Sequence, residues 1–162
     1  MVKAVLPGSF DPPTNGHINL IERASRIFDH LDVVIATNTH KSCFFTADER
    51  FNILSGILGK YDNIEVHLWD RLIVDFAKEQ GTSVMVRGVR ALADFSYEFE
   101  LAMTNKGLYP DLEIFFMPTD PKYFVLRSSA IKEIAQLGGD ISPMVPPVVA
   151  AAIHDKLKES DA

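Results

Sequence analysis

Short apolar runs alternate along almost the whole chain with longer stretches whose apolar residues recur at helical spacing. Residues 2–6 read as a short apolar strand. Ile18, Ile21, Ala24 and Phe28 then share one stripe of a helix over 18–28. Val33-Val34-Ile35, inside 31–36, is a β-branched run suited to a strand buried on both faces. Thr46-Ala47-Asp48-Glu49 is a capping box that opens a helix through Leu58. Residues 64–68 predict a third strand, and 72–80 a helix stopped by Gly81. Residues 83–86 predict a fourth strand with Arg87 at its end. A helix over 94–106 is expected to close at Gly107, followed by a fifth strand at 113–117. A loop over 118–127 leads to a helix at 128–136, and Pro146-Pro147 introduces a last helix at 148–157.

Strands that alternate with helices through short connections imply a parallel sheet covered on both faces. With right-handed crossovers, the expected fold is α/β: one doubly wound, Rossmann-like domain over 1–162, with a five-stranded parallel sheet and C-terminal helices. Such sheets bind ligands beyond the carboxyl ends of their strands. Four segments rich in chemical groups follow strands: 9–17, 37–41, 87–90 and 123–129. They are expected to surround one cleft.

Composition narrows the classes. The formal charge of −6 argues against a nucleic-acid partner, which usually meets a basic face, but a local basic cluster can still dominate a cleft for small anions. No apolar run is long enough to cross a bilayer, and the N-terminus lacks the pattern of a secretory signal. The single cysteine, Cys43, cannot form an internal disulfide and has no histidine–cysteine cluster around it. A cytoplasmic, membrane-free setting fits these features.

The segment Pro7-Gly8-Ser9-Phe10-Asp11-Pro12-Pro13-Thr14-Asn15-Gly16-His17 lies between the first strand and the first helix. A helix N-terminus carries free N–H groups and the positive end of the dipole, so it attracts phosphate. His17, in the first turn, is placed to donate a proton to a phosphoryl oxygen. Gly8 allows close backbone approach or an unusual backbone angle. Pro12 and Pro13 stiffen the turn, and Thr14 or Asn15 can cap the helix.

Lys41 draws interest only from its strand-end loop. Arg87 and Arg90, three apart around Gly88, suit paired hydrogen bonds to phosphate, or else ion pairs with Asp94, Glu98 or Glu100. Glu98 can hold a ribose hydroxyl, orient an arginine or face solvent. Ser128-Ser129, with Arg127 beside them, can cap a helix or bind a second phosphate. No His/Cys/Asp spacing of the kind a bound zinc needs is visible. Neither GxxxxGK[ST], GxGxxG nor a Gly-x-Ser-x-Gly elbow occurs. Covalent catalysis therefore has no obvious nucleophile.

Together these residues resemble a known family. Gly8-Ser9-Phe10-Asp11-Pro12 followed by Thr14-Asn15-Gly16-His17 is similar to the HxGH motif of the nucleotidyltransferase superfamily. Thr14 at its first position matches the phosphopantetheine adenylyltransferase branch. Phe45-Thr46, Glu49-Arg50, Arg87-Gly88-Val89-Arg90-Ala91, Asp94-Phe95, Tyr97-Glu98, Met117-Pro118, Ser128-Ser129 and Lys132-Glu133 extend the match over nearly the whole chain.

The resemblance implies that ATP and 4′-phosphopantetheine give dephospho-coenzyme A and pyrophosphate. The attack on the α-phosphorus is in line, without a covalent enzyme intermediate. It implies catalytic roles for His17, Lys41 and Arg90. ATP is expected on Ser9, Phe10, His17, Gly88, Val89, Arg90, Glu98 and the run Tyr123, Phe124, Val125, Leu126, Arg127, Ser128 and Ser129. The acceptor is expected on Ser9, Lys41, Ile73 and Arg87. Relatives often carry a hydroxyl residue where this chain has Arg127, so that residue adds a phosphate contact or faces solvent. Mg2+ is expected as a cofactor held chiefly by the substrates, with no protein metal ligands. A homo-oligomer, a hexamer by resemblance, and feedback binding of coenzyme A complete the implied picture. Rivals are a transferase of the same fold acting on nicotinate mononucleotide or glycerol phosphate, and a nucleotide-sensing protein without turnover.

Overall fold

The computed structural model describes residues 1–37, 42–124 and 127–160, the last without its side chain. Five parallel strands form one sheet: β1 (Lys3–Gly8), β2 (His30–Ala36), β3 (Ile64–Trp69), β4 (Val84–Val89) and β5 (Glu113–Pro118). Their spatial order is β3-β2-β1-β4-β5, so the chain winds outward from β1 in one direction and from β4 in the other. The helices are α1 (Asn15–Ser25), α2 (Ala47–Leu58), α3 (Ile73–Glu79), α4 (Leu92–Leu108), α5 (Ser128–Gln136) and α6 (Pro147–Ser160), with a 3-10 turn at Pro121–Tyr123. This is the doubly wound α/β architecture that the alternation predicts.

The period-2 pattern of the strands sorts their side chains onto two faces. Ala4, Leu6, Leu31, Val33, Ile35 and Val86 meet Leu20, Ile21 and Ala24 of α1, Phe28 just after it, and Leu54 and Leu58 of α2. The alternate residues Val5, Val34 and Met85 meet Val74, Phe76 and Ala77 of α3. Each large aliphatic side chain fully buried this way contributes about 2 kcal/mol. A third cluster joins Phe45 to Ile131, Ala135, Ile141, Val145, Val149 and Ile153, and so packs α5 and α6 against the segment that follows β2.

The helix ends follow local chemistry. The Thr46–Glu49 capping box is present, and Lys156 on α6 also reaches Glu49 at 2.7 Å, tying α6 to the start of α2. Gly81 after α3 and Gly138 after α5 have φ of +63° and +78°, conformations that favour glycine.

Several boundaries differ from the sequence expectation. Helix α1 starts at Asn15, because Thr14 caps it. Helix α4 starts earlier and runs through Gly107 instead of closing there; Tyr109 ends it with an N–H donated to Asn105 O at 2.9 Å. Strand β4 continues to Val89, because β5 pairs with it to the end (Arg87↔Phe116, Gly88↔Met117, Val89↔Pro118). Arg87, Gly88 and Val89 therefore belong to the strand and not to the loop after it.

Candidate active site

The sheet reverses direction between β1 and β4. These strands share one register pair, Val5↔Met85, where every other neighbouring pair shares six. The crevice beyond their carboxyl ends is the switch point at which open α/β sheets bind ligands. Residues 9–17 and 87–90 both meet it.

The first loop is held in three ways. Phe10 has φ of 48°, so the unusual backbone angle sits at Phe10 and not at Gly8. Gly8 supplies space instead: a Cβ there would lie 2.9 Å from the Phe10 ring. The Asp11-Pro12 peptide bond is cis. Asp11 is buried, and its two carboxylate oxygens accept the Phe44 and Phe45 N–H groups, each at 2.8 Å, and Lys132 Nζ at 3.3 Å. Arg50, also buried, donates from Nη1 to Ser9 O at 2.8 Å and Ala36 O at 3.3 Å, fastening the ends of β1 and β2 together.

His17 takes part in the cap of its own helix. Its N–H donates to Thr14 Oγ1 at 3.2 Å, and the Thr14 N–H donates to His17 Nδ1 at 3.0 Å. An Nδ1 that accepts a backbone N–H carries no proton, so the neutral ring holds its proton on Nε2. Among the described residues Nε2 has no polar partner. The Phe10 ring meets the imidazole edge-on at 5.1 Å. Burial, reinforced by the nearby Arg90 charge, lowers the His17 pKa to about 4. At neutral pH the ring is therefore an oriented hydrogen-bond donor through Nε2–H.

The two arginines are both paired. Arg87 forms a bidentate pair with Glu98, Nε to Oε2 at 2.6 Å and Nη2 to Oε1 at 2.8 Å, while Nη1 donates to Pro7 O at 2.9 Å. It thereby bridges β4, β1 and α4, and Glu98 takes the arginine-orienting role. Arg90 Nε meets Asp94 Oδ2 at 3.2 Å. Gly88 admits helix α1, since a Cβ there would fall 2.6 Å from Leu20 Cδ2. The Val89 carbonyl accepts the Thr119 N–H at 2.9 Å.

Near α5, Arg127 is the N-cap residue without a side-chain cap, and its side chain is largely exposed, with Nη2 4.0 Å from Asp94. Ser128 is already helical and donates from Oγ to Pro12 O at 2.9 Å, so it ties α5 to the first loop. Ser129 and Lys132 line an open concavity of about 470 Å³ between residues 42–44 and α5, beside the His17 loop. Tyr123 Cβ approaches Gly16, and Phe124 is exposed. Ser9 is exposed, and Ile73 opens α3 against the Val5–Val34 side of the sheet. Lys41, Val125 and Leu126 lie outside the described residues.

Sequence reasoning matched Asp11, Arg50 and Lys132 only as motif positions; the structure gives them the work of joining three segments. It also missed a polar cluster on the sheet. His30, Asp32 and Glu65 have possible ligand atoms all within 4.8 Å of one another. Metal-ligand spacing along the chain could not reveal it, because the residues meet across β2 and β3.

Known proteins are similar to this chain. Residues 5–134 match the cytidylyltransferase-like family. A phosphopantetheine adenylyltransferase of Dictyoglomus turgidum is 44% identical over 158 residues, covering 98% of this chain and 99% of that protein. The chain belongs to the phosphopantetheine adenylyltransferase family. Its counterpart from Dictyoglomus thermophilum is 44% identical over 156 residues, 96% of this chain and 95% of that protein. A Vibrio parahaemolyticus structure described as a nicotinate-nucleotide adenylyltransferase superposes with a TM-score of 0.69 over 97% of this chain and 95% of that one. At 19% identity it shows the common fold. As a member of this adenylyltransferase family, the chain is an enzyme of the nucleotidyltransferase class. Its candidate site offers an oriented donor at a helix start and two arginines at a strand end, a set suited to binding and stabilising phosphoryl charge.

Proposed function

We propose that the protein transfers the adenylyl group of ATP to 4′-phosphopantetheine, releasing pyrophosphate and giving dephospho-coenzyme A. The observation that carries this reading is His17, a neutral imidazole fixed at the switch point of the sheet with its Nε2–H unpartnered among the described residues. A phosphate oxygen of the acceptor attacks the α-phosphorus of ATP in line, and the bond to pyrophosphate breaks. Negative charge grows on the equatorial oxygens, and the His17 Nε2–H donates to one of them. No side chain forms a covalent intermediate, so catalysis is positioning and charge stabilisation.

Arg87 engages three of its five N–H donors in the protein, leaving two to meet the acceptor phosphate. Lys41 adds a second cation to that phosphate, Ser9 contributes its hydroxyl, and Ile73 borders the pantetheine arm. Arg90, Phe10, Gly88, Val89, Glu98 and residues 123–129 hold the nucleotide. The described carboxylates of the cleft are already committed: Asp11 to two amides and Lys132, Asp94 to Arg90, and Glu98 to Arg87. Mg2+ would be held chiefly by the substrates, where it would neutralise phosphate charge. We further infer a cytoplasmic homo-oligomer, a hexamer by family resemblance, with coenzyme A able to occupy the product site. Among the described residues no helix is long and apolar enough to cross a membrane. Exposed apolar side chains on α4 and β5 support the self-association.

Pyrophosphate release with MgATP and 4′-phosphopantetheine is the test. Nicotinate mononucleotide and glycerol phosphate are run beside it, each with ATP and with CTP. Turnover only with ATP and phosphopantetheine is expected. Turnover with another acceptor overturns the acceptor assignment, and silence from folded, ATP-binding protein favours a nucleotide sensor.

A further inference from the structure

The sheet face under α3 carries a polar cluster far from the carboxyl ends that build the cleft. His30 and Asp32 sit at the start of β2, and Glu65 and His67 at the matching level of β3, with Asp32 in register with Glu65 and Val34 with His67. The period of two puts all four on one face. Asp32 is only 2% exposed, in a strand whose neighbours Leu31, Val33, Val34 and Ile35 are buried and apolar. Burying a carboxylate there is costly unless it is compensated. No lysine or arginine meets it among the described residues. Its Oδ1 instead receives two imidazoles, His67 Nε2 at 2.8 Å and His30 Nε2 at 3.2 Å. Glu65 Oε2 lies 3.9 Å from His67 Nε2 and 4.0 Å from His30 Nε2.

His30, Asp32 and Glu65 gather their ligand atoms within 4.8 Å, and His67 joins them through Asp32; two imidazole nitrogens and two carboxylate oxygens are a ligand set for a borderline-soft divalent ion. With metal–ligand bonds of about 2.0 Å, tetrahedral ligands lie about 3.3 Å apart. The four separations above lie on either side of that value, and His30, Asp32 and Glu65 have ligand atoms all within 4.8 Å of one another. The edge of the Phe76 ring packs against the His67 ring at 5.0 Å and limits its rotation. Glu65 is largely exposed and free to swing inward, and both imidazoles are partly solvent-accessible, which gives an entry path.

We propose that His30, Asp32, Glu65 and His67 form a binding site for one zinc ion, a structural staple that holds the edge strand β3 to β2. On binding, each imidazole ligates through Nε2 and keeps its proton on Nδ1, any proton on Nε2 passing to solvent. The buried Asp32 charge then faces a dication in place of two imidazole contacts.

The full-length protein, stripped with a chelator and kept free of nucleotide, is titrated with Co2+ and then Zn2+. One equivalent of Co2+ with the intense visible absorption of tetrahedral coordination is expected, displaced by Zn2+ and unaffected by excess Mg2+. One equivalent of Zn2+ raises the thermal midpoint, because it binds only the folded state. Glu65→Gln, at an exposed position that folding tolerates, and His67→Gln each weaken Co2+ affinity by at least about tenfold. Cys43→Ser and His17→Gln leave it unchanged. Absence of a one-equivalent tetrahedral spectrum overturns the proposal. So does a spectrum that survives both Glu65→Gln and His67→Gln, or one lost with Cys43→Ser. Adenylyl transfer by the stripped protein is a separate reading, and its failure bears only on the proposed reaction.

Discussion

The two nitrogens of His17 differ in setting: Nδ1 closes the helix cap, and Nε2 has no polar partner among the described residues. His17→Ala is expected to lower kcat by about 10²- to 10³-fold with little change in ATP affinity, because the bond it removes strengthens only as charge develops. Steady-state kinetics beside equilibrium ATP binding check this; equal losses in both would assign His17 to ground-state binding. The same residue sets a pH dependence. Its pKa falls from 6.5 unfolded to about 4 folded, so between these values the unfolded chain binds more protons. Its contribution to stability is complete above pH 6.5 and is lost as pH falls toward 4. Urea unfolding of wild type should weaken more steeply across that window than that of His17→Asn. The position of His17 was legible from the strand–turn–helix pattern. Its tautomer and charge were not, since they depend on the Thr14 N–H, the Phe10 ring and Arg90. Asp11 and Arg50 were harder still, because their partners lie 33 and 41 residues away along the chain.

At the scale of elements, α1 and β4 fit together through Gly88 and Leu20. Gly88→Ala forces Leu20, and with it the helix that carries His17, away from the strand. It should destabilise the fold by about 1–3 kcal/mol and lower kcat beyond what the lost stability explains. Urea unfolding and turnover measured on the same preparation check it; unchanged values would mean that Leu20 adopts another rotamer without moving the helix. The elements themselves were written in the apolar periodicity, strand by strand and helix by helix. Their ends were less so. Gly107 looked like a stop, yet α4 continues past it, since a glycine in a helix weakens it without ending it. Arg87 looked like the first loop residue, yet pairing with β5 carries the strand two residues further.

The whole molecule leaves one face unfinished. Leu92, Phe95, Phe99 and Met103 follow one another at helical spacing along α4 and are exposed by 82%, 37%, 46% and 49%. A contiguous patch of this kind marks an association surface. Phe99→Asp combined with Met103→Asp should shift the sedimentation coefficient toward that of a monomer at micromolar concentration. A wild-type protein that sediments as a monomer would contradict self-association through this face. Neither the strand order nor this patch was visible from the sequence: the first needs long-range pairing, and the second needs to know which side of α4 the sheet covers.

Arg50 bears on how charge is distributed through the molecule. The protein carries a net −6, and near the cleft Arg87, Arg90 and Lys132 each have a carboxylate as counter-ion. Arg50 is bonded to the carbonyls of Ser9, Ala36 and Thr46 and pairs with no carboxylate among the described residues. A polyanion approaching from a distance meets a repulsive envelope, which salt screens over about 8–10 Å. Once inside, it sits above a buried cation that salt screens far less. Ionic strength thus acts on the two stages unequally, easing entry more than it loosens the hold.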